Sequence, residues 1–395
     1  MNKNNELSEK LSLAGNLFTF TNNTIKCTIT NKICNDTKKD FLLLERKESA
    51  NQYGFAPKAG LIQTSDNNNE SVLRSFLSCS FNDTESTTNF INKYGFLISL
   101  DDKKLYMLNH RKLFQVIARF RYLLLLIQNI KRIDEIKTIG DKKRIYDQIY
   151  DFTTLLIFGD PLQMIPSGNE VDFRVVEINP VHKAIWAEFD FENYYENIVE
   201  KNECSNLFRY QSDEKRTEVF QEGMLEPDGL VFPNNPIDQE YVRDTIELYL
   251  SANFFQFKKY NFLYGVNGIG NLVSSWNFTD IFKNPDKQIS KLIEIAKRTI
   301  KYEFDYALRG IHPTLNVDTL SADWEIPNLL SALYFALFYQ SEDEIYRPCA
   351  NPKCKNVFPV SRTNFKKKYC CLDCQNRAAQ ARHRKKMQMN KTSKN

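Results

Sequence analysis

The chain has 395 residues, of which 42% are hydrophobic and 26% charged, with a formal net charge of +4. Its length favours two compact units plus a small module. The longest apolar run, about Tyr122 to Ile127, is far too short to span a membrane, and the N-terminal residues lack the apolar stretch of a signal peptide. We therefore expect a cytoplasmic protein without a membrane partner.

The basic residues are concentrated at one end. Residues 346–395 carry 14 Lys and Arg against one acidic residue, Asp373, whereas the first 345 residues carry 39 basic and 48 acidic residues. A mildly acidic body with a strongly basic end is the pattern expected of a protein that binds a polyanion. The alternative is a solvated, disordered tail. Cysteines at ligand spacing inside the basic segment argue against disorder alone.

The first half of the chain predicts β-structure followed by helices. Alternating β-branched and aromatic residues from Leu17 to Thr30 predict a β-hairpin that turns at Asn22-Asn23. The polar stretch from Thr64 to Thr88 predicts a loop. Apolar residues at three- and four-residue intervals predict a helix from Arg111 to about Ile136, and a second helix follows from Lys142 to Phe158.

The second half predicts mostly helix. A strand is expected from Val171 to Ile178, and the aromatic, acidic segment from Ala184 to Glu200 predicts a strand and a helix. Three further helices are predicted over Gln239–Phe257, Lys287–Ile311 and Pro327–Gln340.

Five cysteines near the C-terminal end have the spacing of a metal site. Cys349 and Cys354 are followed, after fifteen intervening residues, by Cys370, Cys371 and Cys374. A structural zinc site needs four tetrahedral ligands, which two short cysteine loops can supply. We predict Cys349, Cys354, Cys370 and Cys374 as the ligands and Cys371 as a neighbouring thiol. The choice between Cys370 and Cys371 stays open at this point.

The residues between the two cysteine loops are expected to cover the metal. Val357–Val360 and Phe365–Tyr369 predict a small hairpin whose aromatic rings shield the site. A module of about forty residues buries too little apolar surface to fold alone, so metal binding would supply its folding energy.

The segment after Cys374 predicts a basic helix. Its alanines favour a helix, and its basic residues point around most of the circumference, so it gains most from a phosphate backbone. Arg suits bidentate phosphate or guanine contacts, whereas Lys acts as a point charge. The predicted nucleic-acid-binding residues are Arg362, Lys366, Lys367, Lys368, Arg377, Arg382, Arg384, Lys385 and Lys386. The alternative is a solubilising tail.

This end resembles the CGNR-type zinc finger of bacterial proteins. Cys349-Ala-Asn-Pro-Lys-Cys354 matches the CxNPxC of that family, and Cys374-Gln-Asn-Arg377 matches CGNR, with Gln375 in place of the glycine. The resemblance covers about forty residues and implies a DNA-binding end on a transcription regulator. The end is also similar to bacterial fingers written YCSxxC, in which Cys371 takes the place of the serine, and this favours Cys370 as the ligand.

Together these patterns predict an α+β fold with a predominantly helical body, an N-terminal β-hairpin region and a small C-terminal zinc finger with four cysteine ligands. The predicted segments are a mixed α/β region over 1–165, a mainly helical region over 166–345 and the finger with its basic helix over 346–390. The glycines of Gly265 to Gly270 are in the wrong order for a dinucleotide fingerprint, and the four histidines lie far apart in sequence. We therefore expect a binding protein and not an enzyme.

The predicted function is zinc-dependent binding of nucleic acid, DNA in preference to RNA, by a transcription regulator. The body would then sense an effector or form a homodimer. The alternative is that the finger is a structural or protein-interaction module, for example of a defence-related protein.

Overall fold

The computed structural model describes residues 18–181, 235–251 and 286–392, apart from short gaps at 35–36, 57–59, 65–70, 80–83, 102–104, 137, 318–319, 340–344, 352–353, 355–356 and 361–366. The described residues fall into two compact units. The first is drawn from 18–124, 164–174 and 307–392, and the second from 125–163 and 175–306. The C-terminal cysteines therefore belong to the same compact unit as the N-terminal strands. The predicted divisions at residues 165 and 345 follow the sequence, and they stay a prediction.

A six-stranded mixed sheet is the base of the first unit. Its strands are β1 (Phe18–Cys34), β2 (Thr37–Ala56), β3 (Gly60–Gln63), β4 (Tyr106–Asn109), β5 (Leu162–Ser167) and β6 (Glu170–Val175). The order is β1-β2-β4-β6-β5, and β3 also pairs with β2. The β2 strand pairs antiparallel with β1, β3 and β4, whereas β4 and β6 are parallel.

Helices and two further hairpins complete the described chain. The helices are α1 (Val72–Ser78), α2 (Thr84–Tyr94), α3 (His110–Arg132), α4 (Ile139–Phe158), α5 (Pro236–Ser251), α6 (Asp286–Ala307), α7 (Leu329–Phe338) and α8 (Leu372–Thr392). A 3-10 turn, Ile133–Glu135, follows α3. The antiparallel hairpins are β7 (His312–Asn316) with β8 (Ser321–Glu325), and β9 (Ile345–Pro348) with β10 (Val357–Val360).

The strongly periodic helices match their predictions. The structure confirms the helices predicted from Arg111, Lys142, Gln239, Lys287 and Pro327, with ends that shift by a few residues. The α4 helix begins at Ile139 because the side chain of Thr138 caps it by accepting from the backbone N–H of Asp141. The α7 helix begins after Asn328, whose side chain accepts from the backbone N–H of Ser331 at 2.9 Å.

The first hairpin turns later than predicted. β1 continues through Asn22-Asn23 to Cys34, and its register against β2 shifts between Asn23 and Ile25. The buried Asn22 amide donates to the carbonyls of Tyr94 and Phe96, at 3.3 and 2.9 Å. These carbonyls flank Gly95, which has φ of +75° and no room for a Cβ beside the backbone of Asn23. The Asn22 side chain therefore satisfies the backbone carbonyls of a tight chain reversal at Gly95, which packs against β1. Asn22-Asn23 does not itself form the turn of the hairpin.

The segment from Thr64 to Thr88, predicted as a loop, contains α1 and the start of α2. Ser71 caps α1 by accepting from the backbone N–H of Arg74 at 3.3 Å, and the helix buries Val72, Leu73, Phe76 and Leu77. In α2 the Thr88 hydroxyl donates to the carbonyl of Thr84 at 2.9 Å. Polar side chains that suggested a loop thus serve the helices instead: Ser71 caps α1, and Thr88 donates to a helical backbone carbonyl.

Aromatic rings from the sheet and α7 form the core of the first unit. Phe18 and Phe55 stack with centroids 5.4 Å apart, and Phe335 meets them edge-on at 5.1 and 5.6 Å. A second group joins α3 to α1 and α7, since Phe120 meets Phe76 at 5.2 Å and Tyr334 at 4.9 Å. Such edge-to-face pairs add to the large apolar area that each ring buries.

In the second unit, α5 and α6 form an antiparallel pair. The Tyr241 hydroxyl lies 3.0 Å from that of Thr299 in the buried interface, and Lys291 pairs with Asp244 at 3.3 Å nearer the end of α5. Arg298 donates to the carbonyl of Ile237 at 2.7 Å.

The predicted α+β class is confirmed as a mixed α and β structure with an N-terminal sheet. Helix makes up 52% and strand 29% of the described residues, so the predominantly helical body that was expected is not clearly supported; β1 is longer than predicted, and β2 lies outside the hairpin predicted over Leu17–Thr30. The predicted strand and helix of Ala184–Glu200 and the glycines of Gly265–Gly270 lie outside the described residues. Among the described residues, one helix, His110–Glu135, is long and apolar enough to cross a membrane, but 78% of its most apolar 18-residue stretch is buried, and a core helix passes the same test.

Candidate metal centre and basic helix

Four cysteine sulfurs converge at the C-terminal end. The Sγ atoms of Cys349, Cys354, Cys370 and Cys374 all lie within 4.8 Å of one another. The Cys370 sulfur is 3.7 Å from that of Cys354 and 3.5 Å from that of Cys374. A tetrahedral site with Zn–S bonds of about 2.3 Å has sulfurs about 3.8 Å apart, whereas a disulfide brings them to about 2.05 Å. The spacing is therefore that of a metal site.

The fifth cysteine stays outside this group. Cys371 is exposed, while the other four are buried or half-buried. Its sulfur lies 3.8 Å from that of Cys370, but it is not among the four sulfurs that meet. Since Cys371 and Cys370 are neighbours, their side chains leave the chain in different directions, and the structure brings Cys370 into the group.

Backbone hydrogen bonds shape the cysteine loops. The N–H of Cys354 donates to the carbonyl of Asn351 at 2.8 Å and closes the first loop. The N–H of Ala350 donates to the carbonyl of Lys368, also at 2.8 Å, and ties the first loop to the segment before the second. The sulfurs are thus placed by backbone contacts that a metal would reinforce.

The electrostatics of the group favour a bound cation. Burial raises the pKa of the Cys370 thiol, and the adjacent sulfur of Cys374 and the charge of Cys354 raise it further. Burial also opposes ionisation of Cys349, but backbone N–H groups of Cys370 and Asn351 and neighbouring thiols together lower its pKa. Four sulfurs at this spacing cannot all be thiolates without a positive charge among them.

The apolar core around the sulfurs is small. It consists of Cys349, Cys374, Phe358 and Val360, with Tyr369 packed against its side. The strand that supplies Phe358 and Val360 is β10, which pairs with β9, and the partner predicted for it, Phe365–Tyr369, lies partly outside the described residues. The segment before the first cysteine is therefore part of the finger, because it provides the partner strand.

The finger is packed on the body of the first unit. Strand β10 contacts α1. The α1 helix in turn contacts strand β3 of the sheet and helix α7. At the end of α1, the buried guanidinium of Arg121 donates from Nη2 to the carbonyls of Leu77, at 2.9 Å, and Cys79. The hairpin of the finger thus lies on a helix whose C-terminal end is held by an arginine from α3.

Arg121 also interacts electrostatically with a metal-site residue. Burial lowers the pKa of this guanidinium to about 10, and the negative charges of Cys79, Tyr122 and Cys354 act in the opposite direction. Four thiolates around one divalent zinc ion carry a net charge of about −2. The positive charge of Arg121 would therefore favour the ionised state of Cys354.

The structure places the described basic residues on the surface. Arg377, Arg382 and Arg384 are exposed on α8, and Lys367 and Lys368 are exposed just before Cys370. The Nζ of Lys367 lies 5.4 Å from the ring centroid of Phe358. Lys385 and Lys386 lie in α8 with side chains outside the described part, and Arg362 and Lys366 are also outside it.

Comparison of the chain with family models, with curated proteins and with solved structures finds no match in any of the three. The resemblance to the CGNR-type zinc finger therefore stays a prediction that rests on its motif residues.

Sequence reasoning missed the role of Arg121, although a signal for it exists. Arg121 lies four residues after Ile117 and three before Leu124, so it interrupts the apolar face of α3. A charged residue on an apolar face is buried only when it is paired, and this position could have been singled out on that ground.

Proposed function

We propose that this chain is a zinc-dependent DNA-binding protein and that its four-cysteine centre holds the basic α8 helix in position to contact the duplex. Zinc is the proposed ion because an all-thiolate tetrahedral donor set is typical of structural zinc sites. The finger has too small an apolar core to fold without it.

One observation carries the proposal: Cys374 is both a member of the sulfur group and part of the first turn of α8. Metal binding therefore determines where the helix starts and how it is oriented. Cys374 and Ala378 face the finger, while Arg377, Arg382 and Arg384 are exposed. A helix with such exposed guanidinium groups is suited to phosphate contacts and little suited to burial in a core.

The role in transcription regulation rests on the resemblance to the CGNR-type finger. In this proposal the rest of the chain senses an effector or forms a two-fold homodimer, in which two fingers would meet adjacent half-sites on DNA. The excess of acidic residues in the first 345 positions would keep the body off the duplex, so contact would be confined to the basic end.

The test is a fluorescence anisotropy titration of a labelled duplex with the full chain, repeated at several salt concentrations. The log of the binding constant should fall linearly with log salt, with a slope of about −0.9 for each phosphate neutralised. Cys374→Ser should abolish binding because the finger no longer folds. Cys371→Ser is the matched control, since this exposed thiol lies outside the sulfur group. Equal binding by both variants would contradict the proposal.

The packing of β10 on α1 favours a second function, in which the finger is a structural clamp within its own compact unit. Metal binding would then stabilise the body without creating a nucleic-acid surface. Under this alternative, Cys374→Ser lowers the free energy of unfolding, while the wild-type chain has negligible affinity for DNA at physiological salt. The anisotropy titration separates the two functions.

A further inference from the structure

The exposed surface of α8 has a chemical pattern beyond its positive charge. The helix has 21 residues and is therefore about 31 Å long. Among the helix residues whose side chains the structure describes, Cys374 and Ala378 are buried and the others are exposed. Over the part of the helix whose side chains are described, the attachment is thus one narrow row near the N-terminal end, and most of the circumference there is available to a partner.

Two amide side chains lie opposite this attached row. Residues of a helix are spaced by about 100°, which puts Asn376 about 180° and Gln380 about 140° from the mean direction of Cys374 and Ala378. Both amides are exposed. They are four residues apart and therefore neighbours on one face. We name Asn376 and Gln380 the amide stripe.

Guanidinium groups lie on one side of the amide stripe. The same spacing places Arg384 about 40° and Arg377 about 60° beyond Gln380, whereas Arg382 lies about 120° from Asn376, towards the attached row. All three are exposed, as is Asp373 in the first turn on the side of Arg377 and Arg384. A hydrogen-bonding face with guanidinium groups beside it complements the DNA major groove, whose floor carries the base edges and whose walls carry the phosphates.

We propose that Asn376 and Gln380 read base edges in the major groove of double-stranded DNA, with adenine as the preferred partner. This inference rests on the proposed function and deepens it from binding to sequence recognition. A primary amide donates and accepts at once, so it can bond the N7 and N6 of adenine together. Arg377 and Arg384 then contact phosphates and hold the helix in register.

The dimensions favour DNA over double-stranded RNA. The B-form major groove is about 12 Å wide and admits a helix of about 10–12 Å diameter. The A-form RNA major groove is deep and narrow, and side chains cannot read it. A straight, exposed helix with its polar centre facing away from its anchor therefore suits the DNA duplex.

The experiment selects duplexes from a randomised library with the zinc-loaded full chain, then measures binding to the selected and a scrambled duplex at several salt concentrations. Asn376→Ala and Gln380→Ala should each lower the preference for the selected duplex by about 5- to 100-fold. Their affinity for the scrambled duplex and their salt slope should not change. Arg384→Gln should instead weaken binding to both duplexes and reduce the salt slope by about one.

Gln375→Ala is the matched control. It removes an exposed amide from the same helix, but about 100° away from Asn376 and next to the attached row. It should leave the sequence preference unchanged. Because Ala has a higher helix propensity than Asn or Gln, none of these substitutions should unfold α8, and circular dichroism with a zinc assay checks this directly.

Several outcomes would overturn the inference. If wild-type protein binds DNA with a steep salt dependence but selects no sequence, or if the two amide variants keep the wild-type preference, the proposed function stands and the amide stripe does not read bases. If a single-stranded RNA competes better than every duplex, recognition of the major groove is wrong. If no nucleic acid binds, the proposed function itself fails and this inference fails with it.

Discussion

The N-terminal sheet and the cysteine-rich finger belong to the same compact unit, yet they are held together in different ways. The sheet has a core of large rings, in which Phe18, Phe55 and Phe335 contact one another. The finger has Phe358 and Val360 beside four sulfurs. Burial of apolar surface can stabilise the first region without help, whereas in the proposed function the second depends on the free energy of metal binding.

The α1 helix contacts both the ring-filled core of the sheet and the finger. One side contacts the sheet and α7, and strand β10 of the finger packs on it. Arg121 holds its C-terminal end and interacts with the charge of Cys354. We therefore expect that loss of the metal unfolds the finger and leaves the sheet folded. A substitution in α1 or at Arg121 should destabilise both regions.

Metal removal should have the largest effect and should separate the two regions. Chelation of the zinc-loaded chain is expected to abolish protection of the amides in β9, β10 and the first turns of α8, since metal binding supplies on the order of 10 kcal/mol to such a module. The amides of β1 and β2 should stay protected. Hydrogen exchange with mass spectrometry measures both. Loss of protection in the sheet as well would show that the two regions do not differ in this way.

Phe335→Ala should lower the free energy of unfolding by about 3–5 kcal/mol, because it leaves a cavity among the rings of the sheet core. Chemical denaturation of the zinc-loaded chain measures the change. Phe338→Ala, on the same helix but 54% exposed, is the matched control and should cost less than about 1 kcal/mol. Similar losses for both substitutions would contradict a core centred on Phe335.

Arg121→Met should affect both regions. It leaves the buried carbonyls of Leu77 and Cys79 without this donor, at a cost of about 2–4 kcal/mol. It also removes a positive charge that interacts with Cys354, so zinc affinity should fall. Competition with a chromophoric chelator measures the affinity. Arg111→Met, exposed on the same helix, should change neither quantity. Unchanged zinc affinity in Arg121→Met would remove the electrostatic link between body and finger.

Ser71→Ala should have the smallest effect, about 1 kcal/mol, since it removes the cap of α1. Ser71→Asp keeps an acceptor at the same place and should restore most of the stability. Thermal unfolding of both variants checks the prediction. An equal loss in Ser71→Asp would mean that the cap is not what Ser71 contributes to α1.

Local patterns in the sequence were enough to predict the long helices and the meeting of the two cysteine loops. The periodicity of Leu113, Ile117, Phe120 and Leu124 identifies α3, because helical burial repeats every three to four residues. The cysteine spacing identifies two loops of one site. The choice of Cys370 over Cys371 needs three-dimensional information, since it depends on the direction in which two adjacent side chains leave the backbone.

The pairing of strands that are distant in sequence could not be predicted from local patterns. β2 includes the polar run from Glu45 to Asn51, which is exposed or half-buried throughout, and it still pairs with β1 through Glu45, Arg46, Ala50 and Asn51 on either side of a register shift. The pairing of Val357–Val360 with Ile345–Pro348 places the partner strand before the first cysteine. From the local sequence Asn22 is typical of a turn. In the structure its side chain donates to the carbonyl of Phe96, more than seventy positions away, in a chain reversal.

The most direct test of the central claim is a zinc titration of the apoprotein in the presence of a labelled duplex. If the metal centre positions the basic helix, anisotropy should rise in step with zinc and reach its maximum at one zinc ion per chain, with a tetrahedral all-sulfur ligand shell in X-ray absorption. DNA binding that is equally strong in the apoprotein, or zinc binding that leaves the anisotropy unchanged, would contradict the account.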